Sequence, residues 1–433
     1  MHNVRTVLWC CLGLLGLMVL VAGCGGGGDS SGNQLGGNTV TVTFTDNSGN
    51  VTNPAYLAYQ DGSGIWVKQD LVSSGRYTFM VTNAAKKYGI AVVESSGDSG
   101  TQIMYGTTNE LTNIPYTIDT GESTGDCTIS GSVSGATNGF DASCNQKYPY
   151  YDSSAHTYYI SGVHAGAHPL IADNTNFLAS VIPTRMWIKN LNVSGDMTQN
   201  IDFFDSNSFA LGTKTVQLPT GWSGLVFFYL SEEAFQYLGL SSSVNNSVTY
   251  ATIPSNKMPS AGLYEYGIGC ANGFYTGYSK SPRTSFSDVT FPTIDSTITT
   301  SGTSMTWTKC PNATLYQTEI TDDNSYVDMT ITPNWLGTTA SVAIPTGLAS
   351  LDGWGQYLPS STTYYTVYAY ITNCSLNQYY NGEPYDGLSI MEVDYTGNID
   401  ALKSNTKALS STDRMKNKEI HTLMNPFHFK IHH

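Results

Sequence analysis

Charged side chains are scarce in this chain. Asp, Glu, Lys and Arg make up only 12% of its 433 residues, low for a soluble globular protein. Basic residues are the scarcer sign, 19 Lys and Arg against 33 Asp and Glu, for a formal net charge of −14. A surface that binds nucleic acid needs clustered cations against the phosphates, so that class of partner is excluded. No long stretch carries an apolar period of 3.6 residues, which argues against a helical bundle. There is no C-x-x-C pair and no metal-ligand spacing among the cysteines. There is no G-x-S-x-G elbow, no phosphate-binding glycine loop and no dinucleotide fingerprint. No catalytic constellation emerges, so the chain reads as a non-enzyme for which no cofactor is expected.

Thr, Ser, Gly and Asn fill the gap, together with Tyr, which occurs 29 times. Thr and Tyr suit a pleated, half-buried surface. Period-two runs occur throughout. Thr39 to Thr45 alternates cleanly and places Val40, Val42 and Phe44 on one face. The expected fold class is therefore all-β, with tandem Ig-like or fibronectin-like β-sandwich domains following a leader and a linker.

The leader begins with Arg5 and continues as the charge-free apolar run Val7 to Ala22. That run is short for a membrane-spanning helix, which needs about 20 residues, and has the length of a signal-peptide core. It ends in Val21-Ala22-Gly23-Cys24, which resembles the lipobox of bacterial lipoproteins. The resemblance implies a signal peptide over 1–23, a lipid on Cys24 and attachment to a membrane. Gly25 follows, with no aspartate there, which in such lipoproteins implies sorting to the outer membrane. Residues 24–38 are Gly-rich and read as a flexible tether.

The mature chain divides by composition and turn signals. Residues 39–120 are expected to form one β domain, and its opening resembles that of uncharacterised bacterial lipoproteins. Residues 126–297 are expected to form one or two sandwiches. Their start, CTISGSVSG through YYISGVHAGAHPLIA, resembles the transthyretin-like or carboxypeptidase-regulatory sandwich. In residues 298–397, Ser304 to Thr308 reads as a strand with Trp307 inward, and Leu315 to Ile320 as the next. Leu358 then precedes Tyr364 by six residues, with Val367 and Ala369 continuing the strand. This resembles the strand-F signature of fibronectin type III domains, whose tyrosine packs at a sheet corner. The departure is the aromatic insertion Ile331 to Tyr357. The last segment, 398–433, is expected to be a disordered basic tail, and its residues 401–433 carry six cations against Asp413 and Glu419.

Beyond the leader and Cys24 there are five cysteines. In an exported protein they read first as disulfides. The expected pairs are Cys127 with Cys144 and Cys310 with Cys374, which leaves Cys270 over.

Three groups of polar residues invite weighing. His164 and His168 have helical zinc spacing, but Gly166 and Pro169 argue against a helix there. Glu232 and Glu233 are adjacent carboxylates, better suited to the first turn of a short helix capped by Ser231 than to glycosidase chemistry. Asp46 to Asn50 and Asp322 to Asn324 are oxygen-rich, yet neither follows a calcium-loop pattern, and both fit turns. The aromatic excess is the most suggestive feature. Tyr150 and Tyr151, Tyr275 and Tyr278, and Tyr379, Tyr380 and Tyr385 lie in segments rich in Gly, Asn and Asp. They are expected in loops, where they could stack on sugar rings or anchor a protein partner.

Overall fold

The alternating segments become strands. In a computed structural model, residues 38–397 are described apart from 47–48, 96–98, 119–124, 126, 137, 176–180, 232–233, 243–245, 272, 296, 302, 323, 361–363 and 382–383. The lipobox with Cys24, the tether, Glu232 and Glu233, Asp323 and the 398–433 tail lie outside the described residues, as does the side chain of Tyr364. Strands dominate the described elements, and the helical turns among them are only three to six residues long. The fold is all-β, built of several packed sheets.

Residues 127–210 form a sandwich of their own. One sheet runs Tyr150–Asp152, Thr157–Val163, Cys127–Ser134, with Met197–Thr198 and Ile201–Asp202 added in parallel. The facing sheet runs Ser208–Ala210, Arg185–Val193, Gly166–Asp173, Asp141–Cys144. Ile129, Tyr158, Ile160, Leu170, Trp187 and Phe203 fill the space between them.

The strands of residues 212–279 open a continuous hydrogen-bonded ribbon instead. It runs Gly212–Gln217, Ser247–Thr252, Ala234–Ser242, Ser223–Ser231, Leu263–Cys270, Gly273–Ser279. From there it passes into Ser389–Gly397, Tyr364–Thr372, Leu315–Thr321 and Tyr326–Ile331. The last of these pairs in parallel with Gly100–Thr107, and Lys87–Val93, Tyr56–Asp61 and Trp66–Lys68 complete the ribbon. The segments 39–120 and 298–397, read from sequence as separate units, thus share one sheet. They also share one core, in which Trp66, Ile103 and Tyr105 lie with Trp307, Tyr316 and Val393.

The insertion Ile331 to Tyr357 ties the two segments together. Trp354, fully buried, donates its indole N–H to Thr101 Oγ1 at 3.0 Å, and Thr101 Oγ1 donates to the Tyr357 carbonyl at 2.9 Å. A second small sheet, Thr297–Ser301, Ser304–Trp307 and Ala340–Ala343, closes this half. It encloses Trp307 against the ribbon, inward as expected.

The remaining layer is the sheet of Arg76–Met80, Thr39–Asp46 and Asn113–Ile118. Its central strand presents Val40, Val42 and Phe44, all fully buried, to Leu57, Ile90 and Leu315 of the ribbon. Gly75 turns the chain beside it with φ +57°, a left-handed conformation that glycine adopts without strain. A Cβ there would meet the Thr52 carbonyl oxygen at 2.6 Å.

Candidate functional site

The tyrosines singled out in sequence separate into two groups. Tyr275 and Tyr278 are not in a loop. They lie on the Gly273–Ser279 strand, whose two faces are both covered, so both rings are buried. The Arg283 guanidinium donates to the Tyr275 hydroxyl at 2.9 Å, and the Tyr278 hydroxyl donates to Glu265 Oε1 at 3.2 Å. Tyr379 is buried in the short helix Leu376–Asn381 and packs edge-on against the half-buried Tyr380 at 5.8 Å. Tyr385 is exposed, beside Cys374. Strands covered on both faces lose the alternation that marks them, and flanking Gly and Asn then imitate a loop.

Tyr150 is different. It opens the edge strand Tyr150–Asp152 of the 127–210 sandwich, and its antiparallel partner is Tyr159. The two rings stack 5.1 Å apart with 27° between their planes. They remain 61% and 45% exposed, which leaves an aromatic surface open to solvent. Tyr151, the next residue, points the other way and packs on Phe140. Its hydroxyl reaches His156 Nδ1 at 3.2 Å.

The hairpin that carries the pair is held at its turn. Asp152 Oδ1 accepts the backbone N–H of Ser154 at 2.8 Å and of Ala155 at 3.1 Å, and His156 takes a positive φ of 52°. Register fixes what lies beside the rings. Tyr159 pairs with Ser130 and Thr157 with Ser132, so the hydroxyls of Ser130, Ser132 and Thr157 share the outer face with the tyrosines. Tyr159 was missed in the sequence reading. Its signal is the doublet Tyr158-Tyr159, where period two sends one ring to the core and the next to solvent.

The other polar candidates serve the fold. His168 lies on the Gly166–Asp173 strand, buried, with its Nε2 3.0 Å from the His164 carbonyl oxygen, so the pair is not helical. Asp46 accepts the backbone N–H of Asn50 at 2.8 Å. Asp322 accepts backbone N–H groups from Asn324, Ser325 and Ser360. Desolvation works against its ionised form, but these donors prevail and hold its carboxyl at about 2. Among the described residues no group of three or more His, Cys, Asp or Glu is placed to hold a metal ion.

The cysteines expected to pair show no S–S bond in this structure. Cys310 is buried in the Trp307 core, its backbone N–H donating to the Tyr316 hydroxyl at 2.9 Å. Cys374 packs instead against the clusters of Leu376 with Tyr379 and of Leu263 with Leu388. Leu315 belongs to the second region and Tyr316 to the first, and adjacent strand residues point to opposite faces. The two thiols therefore sit at one end of the sheet but on opposite faces, and no bond joins them. Cys127 and Cys144 line one core from facing sheets, with no S–S bond between them in this structure. Cys270 ends the Leu263–Cys270 strand, half-buried.

No protein-family model matches the chain. No curated protein matches it. Among solved structures it is similar to the Bacillus anthracis TIE protein, at 10% identity and a TM-score of 0.16, over 54% of this chain and 45% of that one. The chain thus spans less than half the length of that protein.

Proposed function

We propose that this chain is a non-catalytic lipoprotein of the cell envelope, anchored through Cys24 to the outer membrane, that presents β-sandwich surfaces for adhesion or for assembling an envelope complex. The observation that carries the binding part of this reading is the exposed, stacked Tyr150–Tyr159 pair on a turn-locked hairpin. Tyrosine supplies large contact area at low conformational-entropy cost and concentrates at the energetic centres of interfaces. The lipobox supports the address. The Leu358–Tyr364 spacing, with two sheets packed around Trp307, supports a fibronectin type III-like module over 298–397. The strand order of 127–210 supports the transthyretin-like reading less specifically. None of these folds implies an activity.

The test is retention of the chain from residue 25 onward, made without leader or lipid, on isolated envelope fractions. Tyr150→Ser and Tyr159→Ser together should weaken retention at least about tenfold, the scale of a lost hot spot, with an unchanged melting transition. Retention equal to wild type would overturn the assignment.

A second reading, carbohydrate binding, is favoured by the hydroxyl row of Ser130, Ser132 and Thr157 beside the rings. Apolar sugar faces stack on such rings while hydroxyls exchange hydrogen bonds. Retardation of the mature protein in gels containing a soluble polysaccharide, lost in the double variant, would select this reading over a protein partner.

A further inference from the structure

The 127–210 sandwich meets the ribbon along the outer face of its Gly166–Asp173 sheet. Ile171 and Met186 leave the sandwich core and pack with Val216, Phe228 and Tyr250. Ser143 Oγ donates to the Phe235 carbonyl at 2.7 Å across the same contact. Into this otherwise apolar joint the chain places two carboxylates. Asp141 and Asp173 are register partners on adjacent antiparallel strands. Their neighbours Ala142 and Ala172 lie in the sandwich core, so strand alternation sends both carboxyl groups outward, towards the ribbon. Asp173 is 1% exposed, while Asp141 is half-buried at the edge of the sheet.

Among the described residues the donors to the pair are neutral. Asp173 Oδ1 accepts Thr175 N–H at 2.8 Å and Thr175 Oγ1–H at 2.6 Å, and its Oδ2 accepts Gln236 Nε2–H at 2.7 Å. Asp141 Oδ1 accepts the Ala142 N–H at 2.9 Å. Gln236 comes from the ribbon strand Ala234–Ser242 and is itself buried, and its Oε1 has no partner. Two like charges this close, one of them fully withdrawn from water and with no cation donating to them among the described residues, strongly disfavour full ionisation of the pair. A protonated carboxyl resolves this, because it removes a charge and supplies a donor. The Gln236 amide suits either state, since its nitrogen donates to a carboxylate and its oxygen accepts from a carboxylic acid.

We propose that Asp141, Asp173 and Gln236 form a proton-held joint, in which the sandwich seats on the ribbon while the aspartate pair retains a proton and loosens when the pair ionises fully. Burial and the Asp173 charge raise the Asp141 carboxyl, and burial raises Asp173. The other titratable groups facing the pair are Tyr148, raised by burial and by Asp141, and Tyr237, raised by burial and by Asp173. Both phenols stay neutral across the range in which the aspartates titrate. Because the seated state holds protons that the open state releases, seating is strongest in mild acid and weakens as pH rises. Half-exposed Asp141 provides the route by which the proton leaves.

Hydrogen exchange on the mature full chain, with a chelator present, reads the joint directly. The reporters are the amides of Asp141–Cys144, Gly166–Asp173 and Ala234–Ser242. After correction for intrinsic exchange, the opening constant of these strands should rise about tenfold per pH unit near neutrality, the slope for one proton. Thr39–Asp46, remote from the joint, should not follow. Asp141→Asn should flatten the slope and keep the strands protected at the higher pH. A pH-independent opening constant in the wild type overturns the proposal, as does an undiminished slope in the variant. Should Asp141→Asn fail to fold, the wild-type slope decides alone against the Thr39–Asp46 control.

Discussion

Glu265 offers the sharpest single-residue test of how the ribbon tolerates buried charge. It lies mid-strand in Leu263–Cys270, between Phe227 on one side and Tyr278 on the other, and is 3% exposed. Burial raises its carboxyl to about 8, against 4.5 for the unperturbed group, even though the Tyr278 hydroxyl bond favours the charged form. Its folded-state affinity for the proton therefore exceeds that of the unfolded chain. The stabilisation is complete below about 4.5, falls as pH rises, and is exhausted above about 8. Within that window the slope is about 1.4 kcal/mol per pH unit. The whole span would amount to about 5 kcal/mol, and relaxation with water entry should bring the observed value to about 2–3 kcal/mol. Glu265→Gln is isosteric with the protonated acid and can still accept from Tyr278, so it should remove this slope. Urea unfolding of both proteins at several pH values between about 5 and 8 measures it. The variant should be close to wild type at the acid end and more stable by about 2–3 kcal/mol at the alkaline end. Taking the difference between the two proteins cancels the contributions of distant titrating groups. Parallel profiles would show that Glu265 ionises as an ordinary surface acid and would refute the reasoning.

Three further outcomes are expected. Trp354→Ala should cost about 3–5 kcal/mol, the range for deleting a fully buried aromatic, and should release the Gly100–Thr107 strand in hydrogen exchange, because its indole N–H holds Thr101; a cost below about 1 kcal/mol would mean that the insertion does not tie the two segments together. Cys310 and Cys374 should both react with a thiol reagent in the unfolded, non-reduced protein, whereas a peptide linking them would contradict their placement on opposite faces. Cys24→Ser should leave the chain unprocessed or released from membranes, and wild-type processing with normal membrane fractionation would remove the lipid anchor from consideration.

Local pattern carried the reading where one face of a strand is wet. Val40, Val42 and Phe44 alternate with threonines and are buried as a set. Trp307 is inward for the same reason. The pattern fails where both faces are covered. Gly273–Ser279 has Leu263–Cys270 and Ser389–Gly397 beside it and packed layers on either side, so Tyr275 and Tyr278 are core residues that look like loop residues. The parallel pairing of Tyr326–Ile331 with Gly100–Thr107 joins strands more than two hundred residues apart. Nothing in either strand announces the other, because register between distant strands is set by packing rather than by local sequence. The placement of Cys310 and Cys374 on opposite faces is not legible in sequence, for a subtler reason. Their strand ends do lie at one pole, but the side of the sheet each thiol takes depends on single-residue parity through the turns that follow the strands.

Composition also reads differently once the acids are placed. The formal charge of −14 counts every Asp and Glu as ionised. Burial raises Glu265 and Glu319, and Asp328 rises well above the ordinary carboxylate range from burial and the neighbouring Glu319. The Asp141 and Asp173 carboxyls are raised as well. Part of the chain's acidity is therefore interior and proton-bearing near neutrality, not surface charge. Scarce charge at the outset and buried acid in the fold then have one consequence. The exposed face around Tyr150 and Tyr159 carries the serine and threonine hydroxyls, with the Asp152 carboxylate at its turn end already accepting two backbone N–H groups. With Asp152 Oδ1 taken up by the turn, a partner would be engaged there mainly by stacking and neutral hydrogen bonds, so its binding should depend only weakly on salt, unlike the steep dependence of contacts made through charge.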